Sequence, residues 1–228
     1  MIWAISDLHF DHTKNKSMDI FGDNWKNHQK KIEEDWKSKV KENDTVLIAG
    51  DISWGMRIKD AVPDLELISS FPGNKILIRG NHDYWWGGIK KLNELNLKKV
   101  KFLQISSIEL EDAVIFGTRG WACRDCEEFT ESDEKIFKRE LIRLELSFKS
   151  CENSSDKKRI CMIHYPPFNS DQTPNEFFEL MKKYKVDICI YGHLHGDGHK
   201  FALEGNIDGI KTYCTASDYL NFELVKIL

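Results

Sequence analysis

The sequence predicts a layered α/β sandwich with one crevice at an edge of its sheets. Short apolar, β-branched runs alternate along the chain with longer segments that have helical periodicity. Most of these runs lack polar alternation, which is typical of strands that are buried on both faces and covered by helices. Residues with metal-binding side chains follow directly after several of the runs. Because ligand crevices in open α/β sheets form at the carboxyl ends of strands, we expect these residues to meet there.

The first two elements are a strand and an amphipathic helix. The apolar run at 2–6 is a short strand that ends in polar residues. Asp23 and Asn24 offer an N-cap for a charged helix at about 24–41. The apolar stripe of this helix consists of Trp25, Ile32, Trp36 and Val40.

The later elements continue the alternation of strands and helices. Pro63 is tolerable in the first turn of one helix, which Pro72-Gly73 closes. The tail from 200 to 228 alternates like antiparallel strands, with turn signals at Asp208-Gly209. We expect strands at 45–49, 75–79, 100–103, 106–110, 113–117, 159–163 and 187–191, helices at 59–71, 87–96, 131–149 and 174–184, and an exposed loop at 152–158.

Length, charge and the first residues limit the class of protein. A chain of 228 residues can bury a sizeable core, so we expect one domain over 1–228. The net charge of −4 does not indicate nucleic acid as a partner, although a local groove could suffice for binding it. No apolar stretch approaches a membrane span, and Met1–Ser6 lacks a basic segment of the kind that opens a secretory signal. We therefore expect a cytoplasmic protein without a membrane partner, and the oligomeric state stays open.

The six cysteines do not have the spacing of a disulfide scaffold. Cys161 and Cys189 lie within apolar strand-like runs, so we expect them to be buried. Cys123 and Cys126 form a lone C-x-x-C pair, which is weak evidence for zinc or redox chemistry. We interpret this pair as structural or incidental.

Five short blocks carry the carboxylate, amide and imidazole groups that follow the strands. Oxygen and nitrogen donors of this kind suit Mn, Fe, Zn or similar divalent metals better than a thiolate zinc site or an all-oxygen calcium site. Two such metals held about 3.5–4 Å apart assist the hydrolysis of phosphate esters. The blocks are Asp7-Leu8-His9, Gly50-Asp51, Gly80-Asn81-His82-Asp83, His164 and Gly192-His193-Leu194-His195.

The spacing within the blocks suggests how they share two ions. Asp7 and His9 are two residues apart, so they would project to the same side of an extended segment and reach one ion. By the same spacing His193 and His195 converge on the site, although the turn between them leaves separate ions open. Asp51 is the candidate for a bridging carboxylate, because its neighbours Ile52 and Ser53 are poor ligands.

The order D-x-H, G-D, G-N-H-D, H, G-H-x-H resembles the calcineurin-like metallophosphoesterase superfamily over positions 7 to 195. All five blocks are intact, and the surrounding loops resemble a small stand-alone bacterial-type branch. The resemblance implies a four-layer α-β-β-α sandwich with two mixed sheets and a dinuclear site at the carboxyl ends of the strands. A hydroxide between the ions would be the nucleophile. The implied ligands are Asp7, His9, Asp51 and His195 for one ion, and Asp51, Asn81, His164 and His193 for the other.

The resemblance leaves His82 as a histidine that is not a ligand and faces the substrate. It would stabilise the phosphoryl oxygens or protonate the leaving alkoxide. Asp83 is the candidate to hold its imidazolium, so His82 and Asp83 are the predicted catalytic pair. The protein-phosphatase branch has G-D-x-x-D-R-G in the second block, whereas Trp54 takes the second Asp position here. This departure counts against a Ser/Thr protein phosphatase.

Aromatic residues and arginines beside the blocks are candidates for substrate binding. Trp54, Tyr84 and Trp85 could form an aromatic wall that stacks on a ring of the substrate, or they could pack the loops. Arg57, Arg119 and Arg124 are candidates to clamp a phosphate or carboxylate, although we favour a solvated surface position for Arg124.

Two functions follow from these observations. The first is hydrolysis of a small soluble phosphomonoester or phosphodiester by a metal-dependent enzyme. The alternative is a non-catalytic scaffold of the same fold that serves protein assembly. Such scaffolds tend to lose the catalytic histidine or some ligands, and the retention of His82 with every ligand favours the enzyme.

Overall fold

The computed structural model describes residues 1–13, 16–151 and 156–228. Of the loop predicted at 152–158, residues 152–155 lie outside this range. The α-helices are α1 His28–Lys39, α2 Ile58–Ser70, α3 Ile89–Asn93, α4 Glu131–Lys149 and α5 Glu176–Lys183. The strands are β1 Ile2–Ile5, β2 Thr45–Ile48, β3 Asn74–Leu77, β4 Val100–Phe102, β5 Ser107–Glu109, β6 Ala113–Thr118, β7 Lys158–Ile163, β8 Ile188–Tyr191, β9 Gly205–Ile207, β10 Ile210–Cys214 and β11 Val225–Lys226.

The strands form two mixed sheets. The first sheet has the order β11-β1-β2-β3-β4, in which β1 to β4 are parallel and β11 is antiparallel. The second has the order β5-β6-β7-β8-β10-β9, with β6, β7, β8 and β10 parallel and both edge strands antiparallel. The parallel strands end in register: Ile5, Ile48 and Leu77 are paired in the first sheet, and Ile163 and Tyr191 in the second.

Three apolar layers hold the sandwich together and confirm the predicted fold class. Alternate strand residues such as Ala4 and Ile160 fill a layer between the two sheets. On the outer face of the first sheet, α1 and α2 bury residues that include Trp36 and Leu65. On the outer face of the second, α4 and α5 bury residues that include Phe137. The layers therefore follow the order helix, sheet, sheet, helix.

The first helix begins later than the sequence predicts. Asp23–Trp25 forms a single 3-10 turn, and the α-helix starts at His28 after Asn27, which has a left-handed backbone. Ile32 and Trp36 are buried as expected. Trp25 instead packs its ring 5.5 Å from the ring of His195 and 6.0 Å from that of His9. Packing against these histidines outweighs the local helical pattern.

The carboxyl-terminal tail also differs in part from the expectation. β9 and β10 are an antiparallel pair joined at Asp208-Gly209, as predicted. However, β10 lies parallel to β8, and β11 crosses to the first sheet and pairs with β1. No helix among the described residues is long and apolar enough to cross a membrane.

Candidate metal centre

The five predicted blocks meet at the carboxyl edge of the sandwich. The loops after β1, β2 and β3 contribute Asp7 and His9, Asp51, and Asn81, whereas His164 follows β7, and His193 and His195 follow β8. Backbone hydrogen bonds join the first two loops. The amide of Asp7 donates to the carbonyl of Gly50 at 2.9 Å, and the amide of His9 donates to that of Asp51 at 3.0 Å. These hydrogen bonds hold the loops that carry Asp7, His9 and Asp51 next to each other.

Four of the seven predicted ligands have a left-handed backbone. Asp7, His9, Asp51 and His193 have φ values of 57°, 47°, 52° and 72°. The prediction that Asp7 and His9 lie on an extended segment is therefore wrong. Their side chains nevertheless both lie next to His195, as the predicted shared ion requires. Non-glycine residues rarely adopt this conformation, and such strain clusters at functional sites.

The glycines of the blocks leave room for these carboxylates. A Cβ atom on Gly80 would lie 2.0 Å from Oδ1 of Asp51. One on Gly192 would lie 2.3 Å from Oδ2 of Asp7. A larger residue at either position would displace a predicted ligand, so the glycines are part of what shapes the site.

The side chains form two groups that share Asp51. In the first, Nε2 of His195 lies 3.2 Å from Oδ1 of Asp7 and 3.3 Å from Nε2 of His9. In the second, Oδ1 of Asn81 lies 2.6 Å from Nε2 of His164 and 3.0 Å from Nδ1 of His193. Oδ2 of Asp51 lies 3.8 Å from Nε2 of His9 and 3.5 Å from Nε2 of His164. Donor atoms this close and this well buried are suited to surround a divalent ion.

The outer nitrogens of two histidines are held by partners that orient the ring. Nδ1 of His164 lies 2.9 Å from the carbonyl of Ala49, and Nδ1 of His195 lies 2.7 Å from Oδ1 of Asp218. A proton on Nδ1 leaves the lone pair of Nε2 directed into the site, as is usual for metal-binding histidines. Sequence reasoning missed Asp218, because it lies in the tail and outside any block.

Replacing Asp218 by Asn is expected to weaken metal binding about 10–100-fold, since the supporting carboxylate of His195 is lost. The affinity for Mn²⁺ would be measured by calorimetry on the metal-free protein. Asp197→Asn is the matched control, because Asp197 is an exposed carboxylate two residues from His195. Equal affinities for the two variants would contradict the assigned role.

The charged side chains of the site balance one another. Burial alone would raise the pKa of Asp7, but the neighbouring imidazole of His195 lowers it to about 2. Burial opposes the protonation of His195 and His164, yet Asp7 and Asp218 raise the pKa of His195 to about 10, and Asp51 raises that of His164 to about 9. The imidazolium groups of His164 and His195 thus offset part of the negative charge of Asp7, Asp51 and Asp218. Dications would replace these protons, so the donor set fits the predicted metals.

Metal affinity is therefore expected to rise with pH. Below pH 9, His164 and His195 carry protons that a metal must displace, whereas burial lowers the pKa of His9 to about 4 and that of His193 to about 3, so these two are already neutral. Between about pH 6 and pH 8, loading should release about two protons. Calorimetry in buffers of different ionisation enthalpy counts them. Affinity that does not change with pH would contradict this account.

His82 lies beside both groups but belongs to neither. Its amide donates to Oδ1 of Asp51 at 2.8 Å, and its ring lies 4.6 Å from that of Trp54. The hydroxyl of Tyr84 lies 3.4 Å from Nδ1 of His82. The ring of Trp54 also stacks on His9, with centroids 4.8 Å apart. Trp54 and Tyr84 thus lie near the site and contact its histidines, and their role in substrate binding stays a prediction.

The expected contact between Asp83 and His82 is not formed. The buried carboxylate of Asp83 accepts hydrogen bonds from the amides of Asp51, Ile52 and Gly80 at 2.7–2.9 Å. Within the described residues, no hydrogen bond or ion pair joins it to the imidazole. Burial and the nearby charge of Asp51 raise the pKa of Asp83 to about 6. The carboxylate satisfies amide groups of two ligand loops, so its position is structural.

Trp85 is not available to stack on a substrate. Its side chain is buried, and its indole nitrogen donates to the carbonyl of Ser53 at 3.2 Å and to Oδ1 of Asp83 at 3.1 Å. The packing interpretation is the right one for this ring. Of the three predicted aromatic residues, Trp54 is half-buried and Tyr84 is exposed.

Two of the three candidate arginines are engaged elsewhere. The exposed Arg57 caps α2 and pairs with Oδ2 of Asp60 at 3.1 Å. Arg124 pairs with Glu134 at 2.8 Å and also with Glu176, which links α4 to α5. Arg119 differs, because its carbonyl accepts the amide of His164 at 3.1 Å and so lies next to the metal centre.

An apolar cavity of about 270 Å³ opens beside His193. The ring of Tyr165 lies 4.1 Å from that of His193 and 5.3 Å from that of Trp121. Cys123 and Cys126, which are bonded as a disulfide, form part of the wall. Cys161 and Cys189 are free and buried, as predicted. The cavity has space for an organic group next to the predicted ligands.

Comparisons with known proteins agree with this geometry. A family model described as calcineurin-like phosphoesterase matches residues 1–197. The Gene 66 protein of Mycobacterium phage L5 is 41% identical over 81 residues, or 36% of this chain and 39% of that protein, so the chain spans about two fifths of its length. Two solved structures share the fold, each with a TM-score of 0.51. One is AQ665 of Aquifex aeolicus, a protein of unknown function, with 18% sequence identity over 99% of this chain and 94% of that one. The other is TT1561 of Thermus thermophilus, with 11% identity over 84% of this chain and 80% of that one.

Proposed function

We propose that this chain, which belongs to the calcineurin-like phosphoesterase family, hydrolyses phosphate esters with two divalent metal ions held by the seven side chains of the candidate metal centre. The observation that carries the proposal is the position of the buried Asp51 between two groups of buried or half-buried donors. One group is Asp7, His9 and His195, and the other is Asn81, His164 and His193. We further propose that residues 1–228 fold as one domain, because the layer between the sheets draws residues from Ile2 to Ile227.

The chemistry divides between the metals and the protein. Bound dications of the Mn, Fe or Zn type would polarise the ester and lower the pKa of a water molecule. Asp51 fixes the separation of the two groups. His82 is half-buried beside them, and burial lowers the pKa of its imidazole. We assign His82 to proton transfer to the leaving alkoxide, because its imidazole stands beside both groups without belonging to either.

The proposed substrate is a small soluble phosphate monoester or diester. The apolar cavity beside His193 offers space for its organic part. Trp54 and Tyr84 border the centre from the side of His82. Nucleic acid is not favoured by the net charge of −4. A cytoplasmic location stays a prediction.

A metal and substrate screen tests the proposal. Metal-free protein would be loaded with Mn²⁺, Fe²⁺ or Zn²⁺ and assayed with p-nitrophenyl phosphate and bis(p-nitrophenyl) phosphate. We expect release of p-nitrophenolate that requires metal and stops on chelation. No turnover of either ester with any metal would sink the proposal and favour the scaffold alternative.

A further inference from the structure

A second cavity, of about 300 Å³, lies beside the metal centre between the ends of β3 and β6. Arg79 and Arg119 line it where these strands end, and Arg143 lines it from α4. Arg79 is two residues before Asn81, and the carbonyl of Arg119 binds the amide of His164. The cavity therefore adjoins the loop that carries Asn81, and through Arg119 it contacts the segment that carries His164.

The cavity carries more positive than negative charge. Its one acidic side chain is Glu140, which is 2% exposed and receives hydrogen bonds of 2.8 Å from Thr118 and Arg143. Nη2 of Arg119 lies farther from the same carboxylate, at 3.7 Å. Arg79 forms no ion pair with any residue that the structure describes. Three guanidinium groups and one carboxylate thus line this cavity, in a chain whose net charge is negative.

Two of these guanidinium groups have unused donors. The Nε atoms of Arg79 and Arg119 are buried and lack a hydrogen-bond partner within the described part of the chain. The side chain of Arg119 is only 10% exposed, and its guanidinium lies 4.3 Å from the ring centroid of Trp121. Buried donors without partners are uncommon because desolvation is costly. A ligand with acceptor oxygens would satisfy them.

We propose that this arginine cavity, defined by Arg79, Arg119 and Arg143, binds a second anionic group of the substrate. This group would be a phosphate or carboxylate carried in addition to the phosphate at the metal centre. The planar fork of arginine matches the paired oxygens of either anion. The inference rests on the proposed function, because it assumes that the phosphoester occupies the neighbouring metals. The competing account is that the arginines only neutralise Glu140.

Non-hydrolysable phosphonates test the inference without turnover. Calorimetry on manganese-loaded protein would compare alkylphosphonates with ω-carboxyalkylphosphonates and α,ω-bisphosphonates, in chain lengths from propyl to hexyl. We expect at least one compound with a second anion to bind about tenfold more tightly than its alkyl counterpart. The carboxylate and phosphonate arms identify which anion the cavity takes. A wild-type protein with no such preference at any chain length would overturn the inference.

Matched arginine variants locate the effect. Arg119→Gln and Arg143→Gln should each remove most of the preference for the second anion, and Arg143→Gln should leave the affinity for alkylphosphonates within about twofold. Arg139→Gln is the control, because Arg139 contacts Glu140 at 3.5 Å but is exposed and does not line the cavity. If Arg139→Gln lost the preference to the same extent, the effect would come from the overall charge of the protein, and the proposed anion site would be contradicted. Should Arg119→Gln fail to fold, Arg143→Gln, whose side chain is 30% exposed, still decides the question.

Failure of the proposed function is distinguishable from failure of this inference. Binding is measured here without hydrolysis. If the protein were inactive but preferred compounds with a second anion in an arginine-dependent way, the anion site would stand and the proposed hydrolysis would be wrong. If the protein were active but lacked that preference, the proposed hydrolysis would stand and the anion site would be wrong.

Discussion

Replacing Asp51 by Asn is expected to abolish metal-dependent hydrolysis, with kcat/KM falling about a thousandfold or more. Oδ2 of Asp51 lies between the two groups of donors, 3.8 Å from Nε2 of His9 and 3.5 Å from Nε2 of His164. Burial raises its pKa, but the charges of His164 and the other imidazoles hold that pKa well below the usual range. The carboxylate is thus fully ionised and ready to bridge. An amide at this position keeps the size but loses the charge that holds two cations together.

Metal content separates this effect from misfolding. Asn retains an Oδ1 that can accept the amide of His82, so the loop geometry should persist, and circular dichroism would check it. We expect elemental analysis to find at most one ion per chain in the variant. Asp197→Asn, at an exposed position, should retain both ions and full activity. An Asp51→Asn protein with two ions and normal turnover would remove Asp51 from the bridging role.

The sequence predicts which side chains come together in the candidate metal centre because of where carboxylate, amide and imidazole groups occur in it. Carboxylate, amide and imidazole groups stand at the ends of apolar runs, and parallel strands in register bring such ends to one edge. The family resemblance added the division into two groups. Long periodic elements such as α4, which occupies 131–149 as predicted, are also decided by local pattern.

Features that depend on tertiary contacts could not be read from the pattern. Asp83 is adjacent to His82 in sequence, yet its carboxylate turns toward the amides of the loop after β2. Trp85 follows a ligand block but is buried beneath it. Asp218 reaches His195 only because the tail returns across the edge of the sheets. The arginine cavity likewise needs residues from β3, β6 and α4 to be brought together.

Replacing His82 by Ala is expected to lower kcat about 10²–10⁴-fold while both metal ions remain bound. His82 adjoins the two ligand groups through its amide contact with Asp51, but its ring nitrogens form no hydrogen bond or ion pair with a predicted ligand among the described residues. Truncation should therefore remove a proton donor and leave the donor set intact. Steady-state kinetics and metal analysis on the same preparation would measure both quantities. His12→Ala removes an exposed histidine and is the matched control.

The leaving group decides whether His82 donates a proton. An alkoxide needs protonation as the ester bond breaks, whereas p-nitrophenolate leaves without it. The loss of kcat in His82→Ala should therefore be largest for alkyl phosphates and much smaller for p-nitrophenyl phosphate. A loss that is the same for both would assign His82 to the phosphoryl oxygens, because charge stabilisation there does not depend on the leaving group. Loss of a metal ion together with activity would instead make His82 a ligand.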